Sequence, residues 1–200
     1  MSVPARLGPL TAEALVTLPT CPGCPHHRVA DNVEWARATE ELLGWCGVEM
    51  RSEDGLRGYL LVAAPGLAPI AGPLTSVPLS TDAAVMVQVW VADEMRGHGV
   101  GRQLVQAAGA AAHRRRIAAL EAIGSHGGGS CVAPSVRWLR QAGFEVTRQH
   151  PLHPRLRLDL SRTVTWPHLR SAVDRVRGLV TRPDPPPQPT TRETSGSLTG

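Results

Sequence analysis

The sequence predicts an α/β domain, and three observations predict it. An apolar β-prone run, "AAVMVQVWV" (83–91), leads through a glycine bend into a helical stretch and then into a second apolar run, "IAALEAIGS" (117–125). Strand, helix and strand in that order form a β-α-β unit, whose right-handed crossover sets the two strands side by side. Further β-prone stretches flank the unit at 47–65 and 144–160, each broken by turn residues as hairpins are.

Length and composition narrow the reading. Two hundred residues bury one real core but are short for two catalytic domains. No stretch of about 18 uncharged apolar residues occurs, so nothing reads as a membrane span. The first twenty residues lack the sustained apolar region of a secretory signal, and a cytoplasmic location is expected. All 21 basic residues are arginine, which excludes lysine chemistry and points to the codon usage of a GC-rich bacterial genome. The net charge of +4 attracts polyanions, either nucleic acid or a phosphate-rich ligand.

Taken in order, residues 1–30 read as an irregular segment carrying Pro and Cys. "DNVEWARATEELLGWCG" (31–47) sets Val33, Trp35, Ala36, Leu42, Leu43 and Cys46 near helical spacing, with Asp31 or Asn32 as N-cap. The hairpin over 47–65 turns at Glu53-Asp54-Gly55, and "GLAPIAGPLTSVPLS" (66–80) is a long loop of a kind that often carries function. Residues 83–91 are apolar enough for a strand covered on both faces. After the bend, "GRQLVQAAGAAAHRRR" places Leu104, Val105, Ala108 and Ala112 on one stripe, with arginines in the last turn where the helix dipole favours them. "HGGGSC" (126–131) is a flexible break. "APSVRWLRQAG" (133–143) is a short helix with Pro134 near its first turn and Gly143 as its stop. "FEVTRQH" and "RLRLDL" alternate as strands joined by "PLHP". Residues 161–181 predict an extra amphipathic helix built on Leu169, Ala172, Val173, Val176 and Val180. Residues 182–200 are too poor in apolar residues to order.

The bend itself, Arg96-Gly97-His98-Gly99-Val100-Gly101, alternates glycine between a strand and a helix. Glycine accepts positive φ at little cost and lets backbone N–H groups converge on an anion; a helix N-terminus adds unpaired amides and the positive dipole end. Arg96 adds a full charge at the rim. The stretch therefore reads as a pyrophosphate cradle, with the bland alternative that the glycines only turn a strand into a helix. A dinucleotide fold wants G-x-G-x-x-G and a triphosphate loop ends in Gly-Lys-Ser or Gly-Lys-Thr, and neither pattern is present.

The pattern R-G-x-G-x-G resembles the GNAT superfamily of acyl-CoA-dependent N-acyltransferases, and "WLRQAGFEV" (138–146) resembles that family's short helix running into a Gly-Phe and the next strand. The resemblance covers Ala83 to Leu160 and implies a mixed, mostly antiparallel sheet around a β-α-β acyl-CoA-binding core, in a domain spanning 31–160. It further implies acetyl-CoA as acyl donor, with the pyrophosphate held by Arg96, Gly97, His98, Gly99, Val100 and Gly101, and the pantetheine arm paired on the backbone of Val89 and Val91. The N-terminal CxxC resembles a subgroup of bacterial, actinobacterial-type members.

Acyl transfer to an amine needs a base, an oxyanion donor and an acid for the leaving thiolate. The family's usual acid is a tyrosine on the short helix, and that position holds Leu139 here; the only tyrosine is Tyr59. Cys131, at the entrance to that helix, or an ordered water is the replacement acid, against the alternative that the cysteine is a small apolar filler. Glu121 interrupts an apolar strand, so it is either the base or the partner of an arginine. Asp93 and Glu94 read as solvated or capping residues, and Arg114-Arg115-Arg116 as a solvated face.

Cys21 and Cys24 have the spacing of a zinc knuckle with His26 and His27 close behind, but adjacent histidines can hardly reach one metal together. Cys46 is a distant fourth ligand in that reading, and a reduced thiol pair packing a loop is preferred to zinc. Aromatic residues are not interleaved with the arginines, which argues against nucleic acid as a partner. The expected partner is a small-molecule or peptide amine. The C-terminal helix is left between covering its own core and joining a homodimer. The rival functions are a non-catalytic CoA-binding module and a zinc-bearing interaction protein.

Overall fold

A computed structural model describes residues 5–19, 21, 33–69 and 78–161. The elements are β1 (Arg6–Pro9), α1 (Glu34–Leu43), β2 (Gly47–Ser52), β3 (Gly55–Ala63), β4 (Ala83–Val91), α2 (Val100–Arg114), β5 (Ala119–Ile123), α3 (Val136–Gln141), β6 (Glu145–Arg148) and β7 (Arg155–Asp159). They form one seven-stranded sheet in the order β1-β2-β3-β4-β5-β7-β6. Every pairing is antiparallel except β4 with β5, the two strands that α2 connects. The expected β-α-β unit and mostly antiparallel sheet are thus both present.

Alternation sends side chains to two apolar layers. On one face α2 and α3 bury Val100, Leu104, Val105, Ala108, Val136 and Leu139 against Leu60, Leu120 and Leu156. On the other, α1 and the N-terminal segment bury Trp35, Ala36, Leu10 and Leu15 against Tyr59, Leu61 and Val87. The predicted stripe of α2 is fully covered, with Leu104, Val105, Ala108 and Ala112 each at 0% exposure.

The N-terminal segment departs from the sequence reading. Residues 6–9 are a strand that pairs with β2, and Leu10 continues the ladder by donating its N–H to Gly47 O at 3.0 Å. Residues 13–17 then form a 3₁₀ turn whose Leu15 is wholly buried. Four residues carry too short an alternation to be legible, and their partner strand lies some forty positions away.

Two helix starts also move. The first described residue ahead of α1 is Val33, which serves as N-cap without a side-chain bond; Asp31 and Asn32 lie outside the described residues. Pro134 lies just ahead of the first turn of α3, and Ser135 is the cap, accepting the Trp138 N–H at 3.3 Å. Gly143, at φ 99°, ends α3 in the left-handed region as the sequence predicts of a stop glycine; Gly44, at φ 73°, ends α1 in the same way, ahead of the helical spacing read as far as Cys46. The proposed helix over 161–181 and the tail over 182–200 lie outside the described residues except for Ser161.

Cys46 joins the N-terminal segment to α1. Its thiol is fully buried and donates to Leu10 O (3.3 Å) and to Glu40 (3.5 Å), whose carboxylate also accepts the Ala12 N–H at 3.0 Å. Burial, and then the Glu40 charge, push this thiol well above its ordinary value of 9.0. The folded state therefore favours the protonated form, and its stability is complete below the unfolded thiol's value and lost as pH rises above it. Cys46→Ala is expected to remove part of the fall in Tm between about pH 8 and 10. Native Cys46 should resist iodoacetamide at pH 8 as read by peptide mass, and rapid alkylation in the folded protein would refute the assignment.

Candidate active site

β4 holds the site by parting from its neighbour. Pairing with β5 runs from Ala83↔Ala119 to Met86↔Ala122 and stops there, although β4 continues to Val91. The cause is a bulge: β3 matches Val62 with Met86 and Leu61 with Gln88, which leaves Val87 as an extra residue. Beyond the bulge, Ala92 donates to Arg57 O (3.0 Å), which fixes the ladder phase. Trp90 then bonds with Tyr59, and the N–H groups of Val89 and Val91 point away from β3 into the gap. Val91 N–H has no acceptor among the described residues, whereas Val89 N–H donates to Cys131 O at 2.8 Å.

The glycine bend follows directly. Gly97 and Gly99 have φ near +80°, and an added Cβ at either would meet nothing within 4 Å. Gly99 is the N-cap of α2 and offers no side chain. Among the described residues, the amides of Gly97, Gly99, Val100 and Gly101 have no backbone acceptor, and that of His98 reaches Met95 O only at 3.4 Å. The first turn of α2 contains no acid and does contain Arg102, so neither a capping oxygen nor a carboxylate opposes the helix dipole. Open amides, a positive dipole end and bare space at two glycines fit a diphosphate, and the cradle reading stands on this geometry.

Three residues of the bend have side-chain contacts or packing of their own. Gly101 answers to packing rather than φ, because a Cβ there would lie 2.9 Å from Trp138 Cζ2. The side chain of His98 folds back to donate from Nδ1 to Arg96 O at 2.9 Å. Arg96 is paired with Asp93 at 2.7 Å, both side chains being largely exposed. Such a pair contributes about 0–1 kcal/mol and yields readily to a stronger anion.

The two catalytic candidates separate. Glu121 is fully buried on β5, its Oε2 accepting the Ser80 N–H at 2.9 Å and its Oε1 accepting the Ser80 hydroxyl at 2.6 Å. Arg157 and Arg155 lie at 3.7 and 3.9 Å, and Arg157 also makes a bidentate pair with Asp82 that holds the Asp82 carboxyl below its usual range. Both oxygens of Glu121 are engaged, so of its two readings the geometry favours the arginine partner. Cys131 stands at the gap: besides its carbonyl on Val89, its sulfur accepts from Gln88 Nε2 at 3.4 Å. Leu139, in the position of the expected tyrosine, is at 0% exposure in the core between α3 and the sheet.

Sequence reasoning missed Gln88 and Trp138. Gln88 is the one polar residue in "AAVMVQVWV" and is 5% exposed; it also donates to the Tyr59 hydroxyl at 3.1 Å, and Tyr59 stacks on Trp90 at 5.5 Å. That lone amide was the available signal. The contact of Trp138 with Gly101 joins two helices and left no local trace.

Comparison with known proteins now bears on this arrangement. The model of the acetyltransferase (GNAT) family matches residues 18–144, more than half of the chain. The chain belongs to the GNAT acetyltransferase family. Three solved structures share the GNAT fold. The ribosomal-protein-S18-alanine N-acetyltransferase of Escherichia coli is 9% identical with a TM-score of 0.52, covering 78% of this chain and 94% of its own. For yncA of Salmonella typhimurium with its cofactor acetyl-CoA the values are 17%, 0.52, 78% and 94%. For the PaiA N-acetyltransferase of Thermoplasma acidophilum in complex with coenzyme A they are 13%, 0.50, 80% and 99%. No curated protein matches the sequence. No helix among the described residues is long and apolar enough to cross a membrane. Among the described residues no group of three or more His, Cys, Asp or Glu could hold a metal ion; Cys24, His26 and His27 lie outside them.

Two substitutions test the placements. Leu139→Tyr, which restores the family's usual residue, is expected to overpack the core and cost about 1–3 kcal/mol in urea unfolding, with no gain in turnover. Glu121→Gln leaves Ser80 and two arginines short of a charge partner and should lower stability by about 1–3 kcal/mol. A loss of turnover in Glu121→Gln with unchanged stability would restore Glu121 as a base.

Proposed function

We propose that this GNAT-family chain is an N-acetyltransferase that moves an acetyl group from acetyl-CoA directly to a primary amine. The observation that carries the reading is the set of open amides at Gly97, Gly99, Val100 and Gly101 on the end of α2, beside the open Val91 N–H in the gap between β4 and β5. In this reading the amides, with Arg96 released from Asp93 and His98 at the rim, hold the diphosphate. Val91 and Val89 pair with the pantetheine arm, which brings the thioester carbonyl to the Val89 N–H, a donor aimed where negative charge develops. The thioester supplies an activated acyl carbon.

Cys131, whose carbonyl takes that amide, carries a thiol that can return a proton to the departing thiolate. With Glu121 engaged by Ser80, the amine loses its proton through water at the mouth of the gap. The acceptor is a small-molecule or peptide amine; the activity named for the Escherichia coli neighbour, on an alanine of a ribosomal protein, supports an amine acceptor in general. A bacterial cytoplasmic setting and the CxxC-bearing subgroup complete the reading, on the strength of the arginine-only basic composition and of Cys21 and Cys24.

A second reading, a CoA-binding module without turnover, is favoured by the core position of Leu139 and the engagement of Glu121. Acetyl-CoA at about a hundred times its Kd is expected to stabilise the fold by about 2.7 kcal/mol, a rise in Tm of roughly 5–11 °C. Gly99→Ala, which forces a Cβ onto φ +80°, should weaken binding by roughly tenfold. Release of free thiol with an amine panel separates the enzyme from the module, and no shift in Tm would end both.

A further inference from the structure

The gap between β4 and β5 is crossed by the chain's own residues 131–135. On one side Cys131 O accepts the Val89 N–H at 2.8 Å. On the other, Ser125 N donates to Pro134 O (2.9 Å) and Val136 N donates to Ser125 O (3.0 Å), so Ser135 bridges to Ser125 in parallel register. The segment is thus a strap tied to both walls. Its β4 end is held twice, by the backbone bond to Val89 and by Gln88 Nε2 reaching the Cys131 sulfur at 3.4 Å. Gln88 is itself fixed by its bond to Tyr59, whose hydroxyl donates to Pro19 O at 3.4 Å.

A backbone N–H has one proton to donate. The Val89 amide can serve the Cys131 carbonyl or a ligand carbonyl, not both at full strength. We propose that Gln88 is a positioning residue which, by latching Cys131, holds the strap over the Val89 amide, so that the arm of an acyl-CoA must displace the strap's β4 end before it can pair there. This inference rests on the acyl-CoA reading above and adds to it a closed state that the ligand opens.

The strap is built to move at that end. Three consecutive glycines, 127–129, precede it, and Gly128 has nothing within 4 Å of an added Cβ. Gly129 does not share that open space: a Cβ there would strike Ser135 N at 2.7 Å, and Ser135, the cap of α3, anchors the strap's other end. Within the strap, Ser130 and Ala133 exchange bonds, Ser130 N to Ala133 O at 2.9 Å and Ala133 N to Ser130 Oγ at 3.1 Å, which keeps the turn compact. With open space at Gly128 ahead and an anchor at Ser135 behind, the proposed displacement falls on Cys131 and its neighbours.

When the binding-competent state is only part of the population, apparent affinity falls by that fraction. Loosening the latch should therefore tighten arm-dependent binding and leave arm-independent binding alone. The probes are acetyl-CoA and 3′-phospho-ADP, which carries the diphosphate without a pantetheine arm, titrated calorimetrically into the full chain. For Gln88→Leu, which keeps volume and removes the donor, acetyl-CoA is expected to bind roughly three- to tenfold more tightly than to wild type, with 3′-phospho-ADP unchanged. Ser130→Ala, which loosens the strap's turn away from the core, should act in the same direction if Gln88→Leu folds poorly. Unchanged or weaker acetyl-CoA binding in both variants, or an equal gain for both ligands, overturns the latch. A wild-type chain that binds neither ligand overturns the acyl-CoA reading itself, an outcome distinct from wild-type binding without an arm-specific gain.

Discussion

The hydrogen-bond ladder between β4 and β5 ends at Met86↔Ala122, and the rest of the site follows from that ending. One extra residue, Val87, enters β4 opposite the Leu61–Val62 step of β3. From there the outward N–H groups of β4 have no strand to meet. An interior gap with unpaired donors costs free energy unless something fills it. In this chain the filler on one side is the carbonyl of Cys131, and what remains open is the Val91 amide and the ring of amides at the start of α2. Sheet and helix thus present their unmet donors toward one region.

The two faces of the sheet share this work unequally. α2 and α3 pack on the same face, close enough that Trp138 lies against Gly101, so the diphosphate cradle sits on a rigid support. On the opposite face a small polar network of Tyr59, Gln88 and Cys131 reaches the gap from among apolar neighbours. Farther along β5, Glu121 ties the loop ahead of β4 to β7 through Ser80 and the two arginines. A buried carboxylate there costs desolvation, which its two hydrogen bonds and two cations offset. It ties Ser80, just ahead of β4, to the neighbouring strand.

Legibility in the sequence tracked the range of the interactions. The stripe of α2, the glycine closing α3, and the apolar run of β4 are local patterns, and each appears where periodicity and turn chemistry put it. The strand at Arg6–Pro9 was not legible, since a four-residue edge strand declares itself only through its partner. Glu121 was visible as an anomaly, but an apolar strand bearing one acid looks the same whether that acid binds arginine or a proton. Gly101 looked like its two neighbours in the bend, yet it lacks their positive φ and packs against a tryptophan thirty-seven residues on.

By itself the sequence determined the α/β class, the β-α-β unit and the glycine bend at its centre, because backbone freedom, dipole direction and apolar spacing act within a few residues of one another. Tertiary structure alone decided which amides stay open, that the Glu121 carboxylate is engaged by Ser80 and the arginines, and that the chain's own strap covers the Val89 donor. Those outcomes depend on which distant atoms arrive first at a given donor or acceptor. Competition of that kind is settled by packing, and no local pattern encodes it.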